Sequence, residues 1–209
     1  MYNQYDPEGE GAYTSTEVSL PPLTVPLRNA AHIEWLNKFG VSDAHQEHYF
    51  MDTYGFNEPR LVSLITNSFG DLIFWQARDV ITNNNPKYIN QLGLRKPDEA
   101  FIRYNLFPSY LFIVEDLVSA LRIHDLGYNV YAILGNRPNK QQIDYLRRLV
   151  DLERIFLWLD PDEGGLEGVK YVKKKLMSHY EVLWLSGLQE PKYLDDETLR
   201  ETLDTWVNY

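Results

Sequence analysis

One stretch decides the fold of this 209-residue chain, residues 110–165: YLFIVEDLVSALRIHDLGYNVYAILGNRPNKQQIDYLRRLVDLERIFLWLDPDEGG. Its apolar runs Tyr110–Val114, Val130–Leu134 and Ile155–Leu159 are continuous rather than alternating, which is typical of strands buried on both faces. Segments with helical spacing of apolar residues separate these runs, and Glu181–Leu185 adds a fourth run. This alternation predicts an α/β fold, with a mainly parallel sheet flanked by helices and right-handed crossovers.

Carboxylates follow two of these strands. Glu115 ends the first strand, and Asp160 and Asp162 end the third, while Gly135-Asn136 ends the second. Because ligands bind outside the carboxyl ends of parallel strands, we expect these residues to share one rim. Carboxylates crowded on one rim repel each other unless they are protonated or bridged by a cation. An all-oxygen ligand set favours Mg²⁺ or Mn²⁺, which can polarise a phosphoryl oxygen.

The pair Asp160-x-Asp162 is a weak motif when it stands alone, because it also fits a turn followed by a helix N-cap. The joint pattern is more specific: strand–Glu–helix, strand–Gly, and strand–DxDxxG–helix. Gly164 and Gly165 are expected to allow a tight turn into a helix whose N-terminus favours anions.

The upstream half has a different organisation. Two entry helices are predicted, from Asn29 to about Phe39 and from Ser42 to about Tyr49. Arg60–Thr66 and Asp71–Arg78 form a β-hairpin around the turn at 67–70, and a short strand follows at Lys87–Asn90. The predicted domains are a mostly disordered, acidic, proline-containing tail (1–27), an α+β N-terminal subdomain with a small mixed sheet (28–109), and a Rossmann-like catalytic domain (110–209).

Composition limits the possible function classes. The net charge of −10 argues against a general nucleic-acid binder. However, residues 110–209 hold 17 acidic and 12 basic residues, an excess that bound cations would offset. The chain has no cysteine, which excludes disulfides and thiolate metal sites. No secretory signal and no membrane-length apolar run occur, so we expect no membrane association and a cytoplasmic location.

The carboxylate pattern resembles the TOPRIM domain, which bacterial-type primases, topoisomerases and some nucleases share. The resemblance implies that Glu115, Asp160 and Asp162 hold metal and carry out phosphoryl transfer. Within that superfamily the chain is most similar to the primases of bacteria and phages. LGNRPNKQQIDYLRRL (134–149) resembles the primase stretch between the two acidic motifs, and EPKYLDDETLRETL (190–203) resembles the segment after the last strand.

The upstream half extends the resemblance to about residues 28–204. Primases place a strand pair and a Pro-Lys-Tyr-hydrophobic-Asn segment before the TOPRIM domain, and here that segment is PKYIN, residues 86–90. For Arg78 and Lys87 an ordinary solvated edge-strand position is the alternative. By analogy, the nucleotide phosphates or template backbone are contacted by Arg78, Lys87 and Asn90, with Arg60 and Lys96 as further candidates.

The resemblance implies a nucleotidyltransferase: a DNA primase core that makes short RNA primers on single-stranded DNA. Its expected partners are single-stranded DNA, ribonucleoside triphosphates, and a replicative helicase or a separate template-recognition protein. The cysteine-rich zinc module of the family has no counterpart, so no zinc is expected. The chain resembles a primase catalytic core without the accompanying modules of the family. We expect it to be phage-encoded and to act in the host cytoplasm.

Two other functions remain open at this stage. A TOPRIM nuclease would use the same carboxylates to direct water, although it has no need of the PKYIN segment. A non-catalytic TOPRIM-like accessory or binding module in a replication complex is the second. Asp116, which stands where the family usually has Gly, and the missing zinc module both leave room for it.

Overall fold

The computed structural model describes residues 17–67, 70–82, 86–91, 93–98, 102–103 and 108–209. The chain forms two compact units, Met1–Pro97 and Asp98–Tyr209. The second unit begins before Tyr110, where the sequence analysis placed the domain boundary, because the short strand Ile102–Arg103 pairs within the second sheet.

The first unit is built on a five-stranded sheet with the order β1-β2-β3-β4-β5. Each strand is antiparallel to its neighbours, whereas a mixed sheet was expected. Both entry helices and the hairpin are confirmed, and Asn29 and Ser42 cap the helices as predicted. The elements are β1 (Thr24–Pro26), α1 (Ala30–Lys38), α2 (Asp43–Tyr49), β2 (Phe50–Thr53), β3 (Arg60–Thr66), β4 (Leu72–Arg78) and β5 (Tyr88–Asn90).

Strand β1 corrects part of the prediction of a disordered tail. It pairs with β2, a strand that the sequence analysis did not identify, so its partner was missing from the prediction. The Thr53 hydroxyl also donates a hydrogen bond to the Pro22 carbonyl oxygen at 2.7 Å. Pro26 is tolerated because β1 lies at the edge of the sheet. Residues 1–16 of the predicted tail lie outside the described residues.

The core of the first unit contains Trp75. Trp75 is 2% exposed and packs in a cluster with Val62, Ala77 and Ile89. Its indole N–H donates a hydrogen bond to the Ser19 carbonyl oxygen at 2.8 Å. Trp75 is therefore a core residue.

The second unit contains the predicted parallel sheet, with the order β10-β9-β7-β8-β6. Strands β7 to β10 pair in parallel, and only β6 is antiparallel to its described neighbour. The elements are β6 (Ile102–Arg103), β7 (Tyr110–Val114), α3 (Leu117–Asp125), β8 (Val130–Ala132), α4 (Lys140–Leu146), β9 (Arg154–Trp158), α5 (Glu163–Leu176), β10 (Glu181–Trp184), a 3₁₀ helix (Pro191–Tyr193) and α6 (Asp196–Val207).

Two elements of the second unit have ends that local backbone geometry explains. Strand β8 ends at Ala132 because Leu134, with a φ of 58°, adopts a left-handed conformation that leaves the strand. Helix α4 ends at Leu146, since the N–H of Arg148 bonds three residues back, as in a tightened last turn. Within the described part of the chain, no helix combines the length and apolar character needed to cross a membrane.

Candidate active site

The carboxyl ends of β7 and β9 bring two of the predicted carboxylates side by side. The strands are paired in parallel up to Val114 and Trp158. One residue beyond β7, the Glu115 carboxylate oxygen Oε1 accepts the backbone N–H of Asp160 at 3.1 Å. On the other side, the N–H of Gly135 donates to the Glu115 carbonyl oxygen at 2.9 Å. The residues following three strands thus meet at one rim.

Asp162 begins α5, as the helix N-cap alternative predicted. Its Oδ1 accepts the backbone N–H of Gly165 at 2.8 Å, and its side chain is exposed to solvent. Asp162 can cap α5 and still belong to the acidic rim formed with Glu115 and Asp160, because its charge acts on both of these residues. The three carboxylates predicted from the sequence therefore belong to one electrostatic cluster.

Glycines let α5 approach the backbone of this rim. A Cβ atom on Gly165 would lie 2.0 Å from the Asp160 carbonyl oxygen, and one on Gly168 would lie 2.0 Å from the Asn136 carbonyl oxygen. Gly164 is similarly close to the Asn136 side chain. Gly164 and Gly165 lie inside the first turn of α5 rather than in a preceding turn. The requirement for glycine is thus one of close approach.

Burial and mutual repulsion disfavour ionisation at this rim. Burial raises the pKa of Glu115 to about 8, and the charges of Asp160, Asp162 and Asp116 add to the effect, while the N–H of Asp160 opposes it. Burial also raises the pKa of Asp160 to about 6; Glu190 adds to this shift and Lys192 opposes it. Such a cluster gains from any cation that neutralises it.

A lysine that the sequence analysis did not single out lies within this cluster. Lys192 is only 6% exposed, and its ammonium nitrogen Nζ lies 2.6 Å from Asp116 Oδ2. It also donates a hydrogen bond to Glu190 Oε2. Burial alone would lower the pKa of Lys192, but the charges and hydrogen bonds of Asp116 and Glu190 outweigh it and raise the pKa above its ordinary value. Sequence gave no indication of this pairing, because Asp116 and Lys192 are 76 positions apart.

The residues at the rim fit a hard divalent cation in chemistry. Glu115 and Asp160 supply carboxylate oxygens, the ligand type that Mg²⁺ prefers. Because neighbouring acids repel their charges, a bound cation would stabilise the ionised form of both side chains. Among the described residues, however, no three Asp, Glu, His or Cys side chains converge closely enough to enclose an ion as they stand.

Two of the predicted cationic contact residues are engaged in the fold of the first unit. Arg60 is 5% exposed, and its guanidinium donates to the Pro86 carbonyl oxygen at 3.0 Å. The guanidinium of Arg78 donates to the Tyr88 hydroxyl at 2.7 Å and lies 4.6 Å from the centre of the Trp35 ring. Both arginines therefore hold β5 and the residues before it.

The other predicted contact residues lie on or after the same segment. Lys87 is exposed just before β5, and Asn90 ends that strand. The Asn90 amide oxygen is buried and has no hydrogen-bond partner within the described residues. Lys96 lies half-buried in the stretch 93–98 that follows β5. The structure thus gathers Arg60, Arg78, Lys87 and Asn90 around β5, with Lys96 further along the chain.

Comparison with known proteins identifies the fold. No protein-family model matches the sequence, and no curated protein matches it. Among solved structures, the Escherichia coli primase catalytic core matches with a TM-score of 0.60 at 16% identity, covering 84% of this chain and 71% of that one. A DnaG primase catalytic domain bound to single-stranded DNA matches with a TM-score of 0.60 at 15% identity, covering 90% and 74%. The zinc-binding and RNA polymerase domains of Aquifex aeolicus primase match with a TM-score of 0.57 at 20% identity, covering 88% and 50%.

The fold is therefore that of primase catalytic cores: an antiparallel sheet, and a parallel sheet flanked by helices. The chain spans from half to about three quarters of the length of these structures. At these levels of identity the likeness concerns the fold, and the roles of individual residues stay predictions.

Proposed function

We propose that this chain is the catalytic core of a DNA primase with a TOPRIM-type active site, which joins ribonucleotides on a single-stranded DNA template. The observation that carries the proposal is the contact between the Glu115 carboxylate and the Asp160 N–H, at the adjoining ends of two parallel strands. It places the two halves of the predicted acidic motif together, in a fold shared with primase catalytic cores.

The proposed ligands of Mg²⁺ or Mn²⁺ are Glu115, Asp160 and Asp162. When bound, the metal would supply positive charge that activates the 3′-hydroxyl and stabilises charge on the α-phosphate. Glu115 is oriented for this task by the Asp160 N–H, which fixes one carboxylate oxygen. Asp162 adds an exposed carboxylate at the start of α5. The glycines of α5 keep the helix close to the backbone of the rim.

The basic residues of the first unit divide into two proposed roles. Lys87, exposed before β5, is the proposed direct contact for a phosphate of the template or nucleotide, and Asn90 is a second candidate. Arg60 and Arg78 act through the segment they hold and are positioning residues. The proposed substrates are ribonucleoside triphosphates, and a replicative helicase or a separate template-recognition protein is the proposed partner.

Primer synthesis can be tested with the whole chain, labelled ribonucleoside triphosphates, single-stranded DNA of varied sequence, and Mg²⁺ or Mn²⁺. We expect metal-dependent oligoribonucleotides from the wild type and none from Asp162→Ala. The matched control is Glu201→Ala, which removes an exposed carboxylate on α6 and should leave the product unchanged.

Other outcomes of this experiment would point to other functions. Metal-dependent degradation of nucleic acid without nucleotide incorporation would identify a nuclease instead. If neither activity occurs, even with candidate partner proteins added, and biological function survives both Glu115→Ala and Asp160→Ala, the chain is an accessory module.

A further inference from the structure

The acidic rim contains one buried ammonium group that the proposed mechanism does not use. Lys192, in the 3₁₀ helix, lies between the carboxylates of Asp116 and Glu190. Asp116 caps α3 through its other oxygen, Oδ1, which accepts the N–H of Ser119 at 2.8 Å. Lys192 thus binds two acids that lie near the proposed metal ligands. Asp116 follows Glu115 in the sequence, and the charge of Glu190 acts on Asp160.

These two acids belong to the same electrostatic cluster as the proposed metal ligands. Asp116, Glu190 and Lys192 all lie close enough to Asp160 for their charges to act on it. Asp116 also directly follows Glu115 in the chain. Without the ammonium group, the rim would contain two further carboxylates available to a cation.

The segment that carries Lys192 is anchored on both sides by other contacts. Before it, the Trp158 indole N–H donates to the Gln189 carbonyl oxygen at 3.0 Å. After it, the Arg122 guanidinium donates to the Leu194 carbonyl oxygen at 2.9 Å. The segment 190–193 is therefore held on both sides by contacts that do not involve Lys192. Anchoring the segment does not by itself explain why the ammonium group is buried between two carboxylates.

We propose that Lys192 is a built-in counter-ion, which occupies the place between Asp116 and Glu190 that a divalent cation would otherwise take. This inference builds on the proposed metal site and makes Lys192 a positioning residue. The Nζ atom lies 2.6 Å from Asp116 Oδ2, a charge-assisted hydrogen bond that neutralises the carboxylate without a metal ion. Because the ammonium group is covalently tethered, it does not exchange with metal in solution. Divalent ions are thereby confined to Glu115, Asp160 and Asp162.

The test is to count bound Mn²⁺ per chain, by electron paramagnetic resonance of free Mn²⁺ during titration of the full chain. We expect Lys192→Met to bind about one more Mn²⁺ than the wild type, because Asp116 and Glu190 become available as oxygen ligands. Lys192→Arg, which keeps the charge, should bind as many ions as the wild type. So should Lys170→Met, which removes one positive charge from an exposed position on α5.

An unchanged Mn²⁺ count in a folded Lys192→Met variant would overturn the role of Lys192. If circular dichroism shows that this variant does not fold, a second comparison decides. Asp160→Asn should weaken the binding of Mn²⁺ by about tenfold or more because a ligand is lost. Asp116→Asn, which retains a good N-cap for α3, should weaken it less than about threefold. Equal losses in both variants would make Asp116 a metal ligand in the wild type and overturn the proposal.

The outcomes separate this inference from the proposed function. A wild type that binds no Mn²⁺, beside a Lys192→Met variant that gains an ion, supports the counter-ion and removes the proposed metal site. A wild type that binds Mn²⁺ as expected but makes no primer removes the proposed activity, while the ion count still decides the role of Lys192.

Discussion

Charged side chains are used in opposite ways in the two units of this molecule. In the antiparallel unit, Arg60 and Arg78 contact carbonyl oxygens, a hydroxyl group and aromatic rings, and so contribute to the fold. These contacts are incomplete, because the Nε atom of each arginine is buried without a hydrogen-bond partner among the described residues and burial lowers the pKa of Arg60. In the parallel unit, Glu115 and Asp160 lie where burial and neighbouring acids raise their pKa values. The acids are crowded by like charges, which is typical of a functional site, whereas the two arginines contact neutral groups of the fold.

The difference teaches how a resemblance in sequence should be interpreted. The resemblance assigned functional roles to residues in both units, and residue type alone did not distinguish them. The contacts do distinguish them. We expect the rim acids to lower the stability of the fold while supporting activity. We expect the two arginines to stabilise the fold without taking part directly in the reaction. The predictions below test this contrast, beginning with the largest effect.

Asp160→Ala should reduce metal-dependent nucleotide incorporation by about 10²–10³-fold or more, as expected when a group that stabilises transition-state charge is removed. Its thermal unfolding midpoint should be unchanged or higher, because a crowded charge is lost. Incorporation rates and calorimetry on the same preparations measure both. A loss of activity that merely follows a fall in stability would assign Asp160 to the fold and remove the contrast.

Gly165→Ala should destabilise the second unit by about 3 kcal/mol, the upper range for overpacking, because its Cβ would collide with the Asp160 carbonyl oxygen. Glu167→Ala, at an exposed position on the same helix, is the control and should be close to neutral. Urea unfolding of the two variants provides the measurement. Equal stability would mean that α5 can move away from the rim at little cost.

Arg78→Met should destabilise the first unit by about 1–2 kcal/mol, from the lost hydrogen bond to Tyr88 and the lost contact with the Trp35 ring. Lys87→Met should leave stability within about 0.5 kcal/mol and instead weaken binding of single-stranded DNA. Chemical unfolding and fluorescence anisotropy separate the two effects. The contrast between a structural and a contacting cation disappears if the two variants behave alike in both assays.

At pH 8 or above and in the presence of EDTA, Glu115→Gln should raise the thermal unfolding midpoint. The shift should be about 2–4 °C for each kcal/mol by which the free energy of unfolding increases. The folded-state pKa of about 8 lies above the ordinary value of 4.5, so folding favours the protonated carboxyl. Ionisation therefore removes stability as pH rises from 4.5 through 8, and glutamine avoids that loss. Near pH 4 the two proteins should unfold at similar temperatures. A higher midpoint for the wild type at pH 8 would show that the carboxylate is not crowded.

Much of the fold could be predicted from local pattern. The continuous apolar runs located β7, β8 and β9, because strands buried on both faces have a composition that no neighbouring segment shares. The fourth run located β10, although this strand lies at the edge of the sheet and is only half-buried. The contact between Glu115 and Asp160 followed from the general geometry of parallel sheets.

What could not be predicted depends on contacts between distant parts of the chain. The pairing of β1 with β2 requires two short strands that have little pattern of their own. The burial of Lys192 depends on Asp116, far away in sequence. The structural roles of Arg60 and Arg78 depend on which carbonyl oxygens and rings the fold places beside them.

The close approach of α5 to the rim has a consequence for sequence divergence. At Gly165 and Gly168 the helix approaches the main-chain carbonyl oxygens of Asp160 and Asn136. The buried face of α5, including Val169 and Val172, can therefore exchange one aliphatic residue for another while the helix start keeps its distance from the carboxylates. Homologous chains that preserve the spatial relation of α5 to the acids should therefore keep these two positions without a side chain, while volume-conserving exchanges in that core are tolerated.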